Sequence, residues 1–191
     1  MHNNSDNSMN SLALAKSRKN SAKVREFMEV FDQNLDQNIF DNSAHISRLL
    51  ELRLLLINES IREFNDAVDR FCLFSSVAPD EDFTDREILN CKRVAFIDIF
   101  EALTNVLYSS YGFFHAFGVD PDRTFNIVYC SNMTKLDEGG QPIYREDGKV
   151  LKGPFYVPPD FISILYDYNI EIGMDCTLAD LNSLDVVESV F

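Results

Sequence analysis

Apolar residues recur along most of this chain at steps of three and four, the spacing that lines one face of an α-helix. Val24, Phe27, Met28 and Phe31 form the first such face and predict a short helix starting near Lys23, which the polar run from Asn34 to Asn42 interrupts. From about Ala44 to Phe71, Leu50, Leu54, Ile57, Ile61, Phe64, Val68 and Phe71 keep the same step and predict one long helix. A second stripe on it, Leu52, Leu56, Glu59, Glu63, Asp66 and Arg70, is displaced by two positions, about 200° around an ideal helix. This stripe begins apolar and turns acidic. A helix apolar on two faces at one end lies between other helices, so Glu59 and Glu63 are expected to point into the bundle or its mouth.

Thr84-Asp85-Arg86-Glu87 reads as a capping box and starts a further long helix. Val94, Asp98, Glu101, Asn105, Tyr108 and Gly112 share one face of it, which thus carries two carboxylates and an amide. Gly118 ends the helix, and Asp120-Pro121 restarts the chain with a cap and a proline at the first helical position. The helix that follows runs to about Leu136 and carries Asn132 and Lys135 on one side. Beyond Asp137, Ile143-Tyr144-Arg145 and Lys149-Val150-Leu151 flank Asp147-Gly148, the pattern of a small β-hairpin. Pro158-Pro159-Asp160 then opens a last short helix through Ile162, Ile164 and Leu165. The predicted fold class is all-α: a helical bundle with a small C-terminal β-hairpin or loop extension. The predicted organisation is a disordered arm over residues 1–22, a helical domain over 23–165 that includes the hairpin at 137–154, and an acidic tail over 166–191.

Composition narrows the function. With 191 residues, 46% of them hydrophobic, the chain can build one core of ordinary size, rich in phenylalanine, since Phe numbers 16 and Trp 0. A formal net charge of -14 repels a nucleic-acid backbone, so no nucleic-acid polymer is expected as partner. A divalent cation held by carboxylates inverts that sign locally, and an acidic chain is therefore compatible with Mg-nucleotide chemistry. Cys72, Cys91, Cys130 and Cys176 form no CxxC pair and are expected to be buried reduced thiols. The start of the chain lacks a signal-peptide pattern and no apolar run reaches membrane-spanning length, so the expectation is a cytoplasmic protein with no membrane partner.

Glu59 and Glu63 stand one helical turn apart, and Asp98 and Glu101 nearly so on the other long helix. If the two faces meet, four carboxylates crowd one volume and repel each other unless a cation neutralises them. Oxygen ligands favour Mg²⁺, with Mn²⁺ as the alternative. Acids at i and i+4 ordinarily form a solvated helix face; continuity with Leu52 and Leu56 turns Glu59 and Glu63 inward, while Asp66 stays outside. His2, His45 and His115 have no zinc-ligand spacing, and His115, between Phe114 and Phe117, reads as a core or interface histidine. Gly148-Lys149 is no P-loop, and neither GxSxG nor GxGxxG occurs.

Two stretches together carry a resemblance. They are Arg53-Leu54-Leu55-Leu56-Ile57-Asn58-Glu59-Ser60-Ile61-Arg62-Glu63-Phe64, and Ser131-Asn132-Met133-Thr134-Lys135 with the downstream run Asp147-Gly148-Lys149-Val150-Leu151-Lys152-Gly153-Pro154 and Pro158-Pro159-Asp160. From about Val24 to Phe161 the chain resembles the phosphoribosyl-ATP pyrophosphohydrolase-like branch of the MazG superfamily, frequent in phages and large DNA viruses. The resemblance implies a MazG-like bundle in which an EExxE helix faces a second acidic helix with Mg²⁺ between them, in a homodimer or homotetramer. It implies hydrolysis of a nucleoside triphosphate, NTP or dNTP, to NMP and pyrophosphate. Glu59, Glu63 and Glu101 are then the expected catalytic residues, and Glu59, Glu63, Asp98, Glu101 and Asn105 the expected metal set. Lys135, Lys149 and Lys152 become phosphate partners and Asn132 a sugar or base contact, with the loop from Asp137 to Pro154 closing over the nucleotide. Two positions depart from the pattern: Ser60 stands where the motif has its second Glu, and Asn105 where the second helix places an Asp. Either Glu59, Asp98 and Glu101 substitute for the missing charges, or the chain is a catalytically impaired nucleotide-binding or regulatory protein. A purely structural helical partner is the third reading.

Overall fold

The computed structural model describes residues 19–41, 43–79 and 83–165. The arm, apart from its last residues, and the whole acidic tail at 166–191 lie outside them, as does Cys176. The chain divides into two compact units, with the boundary between Pro121 and Asp122.

The first unit holds three helices, α1 (Asn20–Val30), α2 (Ala44–Ser76) and α3 (Asp85–Ala116). α1 begins three residues before the expected start, and α2 runs past Phe71. Ser43 caps α2 by accepting from the Ile46 N–H, and α3 opens on the capping box read from the sequence, with Thr84 and Glu87 exchanging side-chain and backbone bonds. α2 and α3 are antiparallel: Ser60 meets Ser109, Arg70 meets Asp98, and Phe71 meets Phe96. Their seam is a heptad of mostly small residues, Ile46, Arg53, Ser60 and Ala67 on α2 against Ile88, Ala95, Ala102, Ser109 and Ala116 on α3. The apolar stripe from Leu50 to Phe71 flanks this seam instead of forming it. Leu54 and Ile61 are exposed and the rest half-buried, because the small side chains let the backbones approach and leave the large ones at the rim.

The core sits where α1, the start of α2 and the end of α3 meet: Val24, Met28, Ile46, Leu49, Ala116 and Phe117 are buried, with Leu35, Ile39, Leu50, Tyr111 and Phe113 packed on them. The α3 C-terminus is finished by Gly118, at φ +67, and by the loop after α1. There the Asp36 and Gln37 N–H groups donate to the His115 and Ala116 carbonyls at 3.0 and 2.8 Å. His115 is a core histidine: its Nε2 lies 2.8 Å from the Ser21 carbonyl oxygen and 3.3 Å from Ser21 Oγ, tying α1 to α3. The cysteine expectation is corrected: Cys72 and Cys130 are exposed and Cys91 half-exposed, since they fall beside the helix contacts and not in the seam.

The second unit holds most of α4 (Pro121–Met133) and a one-turn helix α5 (Ile162–Leu165), whose start is capped by Asp160. α4 stops short of the expected Leu136 and gives way to a turn. Single antiparallel bridges join Leu136 to Pro142 and Tyr144 to Val150, the latter closed around Asp147-Gly148 with Gly148 at φ +83. The end of α4 and the downstream run belong to one another. Ser131 Oγ donates to the Val157 carbonyl at 2.7 Å, and Thr134 Oγ1 accepts from the Val157 N–H at 2.8 Å. A Cβ on Gly153 would stand 2.1 Å from the Leu136 carbonyl oxygen, so only glycine fits there.

Candidate active site

A pocket of about 310 Å³ opens in the first unit between α1, α2 and α3. Glu59, Ser60 and Glu63 line it from α2 and Asn105, Tyr108, Ser109 and Gly112 from α3, with Phe27 and Met28 of α1 on the apolar side and Gln33 and Arg53 at the other end. The antiparallel register decides who faces whom. With Ser60 opposite Ser109, Glu63 comes level with Asn105, and Asp98 falls about two turns before Asn105 along α3, opposite Arg70.

The structure therefore brings together Glu59, Glu63 and Asn105 and does not add Asp98. That carboxylate forms an ion pair with Arg70 at 3.1 Å. Glu101, one turn before Asn105, lines the adjoining recess with Phe96, Ile97, Phe100 and Thr104, where Asn105 also contributes. Among the described residues no three His, Cys, Asp or Glu side chains converge as a metal-binding group, so the expected ring of four carboxylates is not formed within these residues.

At the two departures from the motif the side chains are uncharged and locally engaged. Ser60 is buried, its hydroxyl donating to the Leu56 carbonyl at 3.0 Å, and Ser109 Oγ lies 3.5 Å from it. Ser109 in turn donates to the Asn105 backbone carbonyl at 2.9 Å, and Asn105 lines the pocket. Phe27 and Tyr108 stand edge to face at 5.6 Å, and burial pushes the Tyr108 phenol above its ordinary pKa.

Arg53 was not singled out by sequence pattern, although a charge amid Leu49, Leu50, Leu52, Leu54 and Leu55 is a signal. Its side chain is buried, Nη2 donates to Gln33 Oε1 at 3.2 Å, and Nε has no partner among the described residues. Burial draws its pKa below the usual arginine value. A Cβ on Gly112 would come within 3.2 Å of Nη1, so that glycine makes the room the guanidinium occupies.

The remaining expected contacts belong to the second unit. Asn132 and Lys149 are exposed and Lys135 half-buried at the turn after α4, while Lys152 Nζ sits 4.4 Å over the Tyr156 ring.

A search of curated proteins finds no match. One similar solved structure is that of a candidate NTP pyrophosphohydrolase from Exiguobacterium sp. 255-15, 24% identical, covering 75% of this chain and 90% of that one, with a TM-score of 0.31. The family profile of phosphoribosyl-ATP pyrophosphohydrolase matches residues 24–132, more than half of the chain and the whole length over which the pocket is built. The chain belongs to the phosphoribosyl-ATP pyrophosphohydrolase family.

Proposed function

We propose that this protein hydrolyses a nucleoside triphosphate, NTP or dNTP, at its α-phosphate to NMP and pyrophosphate, in the pocket of Glu59, Glu63 and Asn105. The observation that carries this reading is that two carboxylates and an amide from two facing helices share one pocket in a member of this family. Their oxygen donors suit Mg²⁺ or Mn²⁺ better than Zn²⁺. Mg²⁺ needs no closed cage, because it keeps waters and takes substrate phosphate oxygens beside one or two carboxylates. Glu59, Glu63 and Asn105 would hold the ion, with Glu101 the next carboxylate along α3. When bound, it supplies neutralisation of the phosphates, polarisation at the α-phosphorus and a lowered pKa for the attacking water. The chain's own contribution is positioning: through the ion, Glu59 and Glu63 would fix the phosphate end of the substrate, while Phe27 and Tyr108 wall the pocket. Asn132, Lys135, Lys149 and Lys152 are proposed as substrate contacts on the sequence motif.

Self-association belongs to the same proposal. Leu52, Leu54 and Leu55 on α2 and Val94, Phe96, Ile97 and Phe100 on α3 are exposed, two apolar patches suited to a second copy in a homodimer or homotetramer. A second reading, nucleotide binding without turnover, is favoured by Ser60 and Asn105 contributing no charge. Titrating Mg²⁺ against a panel of NTPs and dNTPs while measuring pyrophosphate separates the two. Metal-dependent release supports hydrolysis, and binding with no release supports the impaired protein.

A further inference from the structure

Arg53 is a buried cation with no anionic partner among the described residues. Its side chain is 5% exposed, desolvation alone shifts its pKa, and Nε has no hydrogen-bond partner among the described residues. Taking a guanidinium out of water without a partner carboxylate is costly, yet α3 places Gly112 where any larger residue would crowd it. The side chain lines the same pocket as Glu59 and Glu63. It precedes them on α2 by six and ten residues, so the two ends of the pocket stand about 9 to 15 Å apart at 1.5 Å of rise per residue. That span exceeds a triphosphate chain and matches a whole nucleotide.

The walls between the two ends combine apolar and aromatic side chains, Phe27, Met28, Leu56 and Tyr108, with the hydroxyl-bearing Ser60 and Ser109. The far end is rich in donors: arginine has no acceptor, and the Gln33 carbonyl oxygen, already accepting one bond from Arg53, keeps a single lone pair beside the two Gln33 amide N–H groups. We infer that Arg53, with Gln33, is the base-recognition element of the pocket and selects a nucleobase edge carrying two adjacent acceptors. Guanine offers such an edge at O6 and N7, and cytosine at O2 and N3. Adenine presents an amino donor beside N7 and leaves a buried donor facing a donor. The inference deepens the pyrophosphohydrolase reading, on which it rests for the ligand being a nucleotide.

Equilibrium binding of the full chain to GTP, CTP, UTP and ATP in the presence of Mg²⁺, by calorimetry, tests it without requiring turnover. The expected result is GTP or CTP binding tighter than ATP by roughly five- to a hundredfold, and Arg53→Lys reducing that ratio to within about threefold. Inorganic tripolyphosphate, which has no base, should bind both proteins alike. Gln33→Leu, at a half-exposed loop position, should also shrink the ratio and keeps the test readable if the Arg53 variant does not fold. Equal binding of ATP, GTP and CTP by the wild type, or an unchanged ratio in Arg53→Lys or Gln33→Leu, overturns the inference. Base preference with no pyrophosphate release upholds it and removes only the hydrolytic reading; absence of all nucleotide binding removes both.

Discussion

Replacing Arg53 by Met exchanges the buried guanidinium for an apolar side chain of comparable reach, and the structure sets the sign of the effect. An unpartnered buried donor costs about 1–3 kcal/mol, and the single bond to Gln33 returns about 1 kcal/mol, since half-exposed Gln33 regains water when it is lost. Exchange of a poorly compensated buried charge for a packed apolar group is ordinarily neutral or stabilising. Arg53→Met is therefore expected to lie between neutral and about 2 kcal/mol more stable without ligand, a rise in Tm of up to about 4–8 °C for a chain of this size. The same variant should lose most of the extra stability that a preferred nucleotide with Mg²⁺ gives the wild type, because that gain follows the ratio of free ligand to Kd. Urea melts with and without nucleotide, followed by far-ultraviolet circular dichroism, read both effects. Destabilisation of the ligand-free variant by more than about 2 kcal/mol would refute the reasoning, for it would mean that Arg53 is compensated within the fold and holds it together.

Asp36→Asn removes the paired contact with Arg25, whose hydrogen bond holds the Asp36 carboxyl below its ordinary pKa. Both side chains are well exposed, so the loss at pH 7 is expected at under about 1 kcal/mol. A depressed carboxylate stabilises the fold above its unfolded pKa, so the gap between wild type and variant should begin to close near about pH 4 and go on closing below it in acid melts. Gly153→Ala forces a methyl onto the Leu136 backbone and should cost about 2 kcal/mol or more, visible as early loss of proteolytic protection around residues 136–153. Light scattering at micromolar concentration should give the mass of a dimer or tetramer; a strictly monomeric mass would leave the exposed apolar faces of α2 and α3 without the proposed partner.

The three-and-four spacing of apolar residues makes the long helices legible, and the Thr84–Glu87 box and Gly118 mark real helix ends, because these signals are local. The seam between α2 and α3 was harder to read. It runs through Arg53, Ser60, Ala67, Ala95 and Ala102, residues that a hydrophobic count passes over, while the larger Leu54 and Ile61 that dominate the count stand exposed. Register is the property that sequence periodicity omits. It fixes Glu63 level with Asn105 and sends Asp98 to Arg70, and a slide of two turns would have exchanged them. The link between Ser131 and Thr134 and the run around Gly153 was visible as a motif but not as a packing constraint. Its cause, a backbone approach that admits no Cβ, exists only in three dimensions.

The pocket of Glu59, Glu63 and Asn105 is proposed as a metal-dependent pyrophosphohydrolase site. Pyrophosphate release by the wild type and by Glu63→Gln, side by side with Mg²⁺ and the preferred triphosphate, tests it most directly, since the exchange removes one charge and keeps the shape. Release by the wild type is expected to require Mg²⁺, and the variant to lose at least about a hundredfold with its melting curve unchanged. Equal release by the two proteins would contradict it.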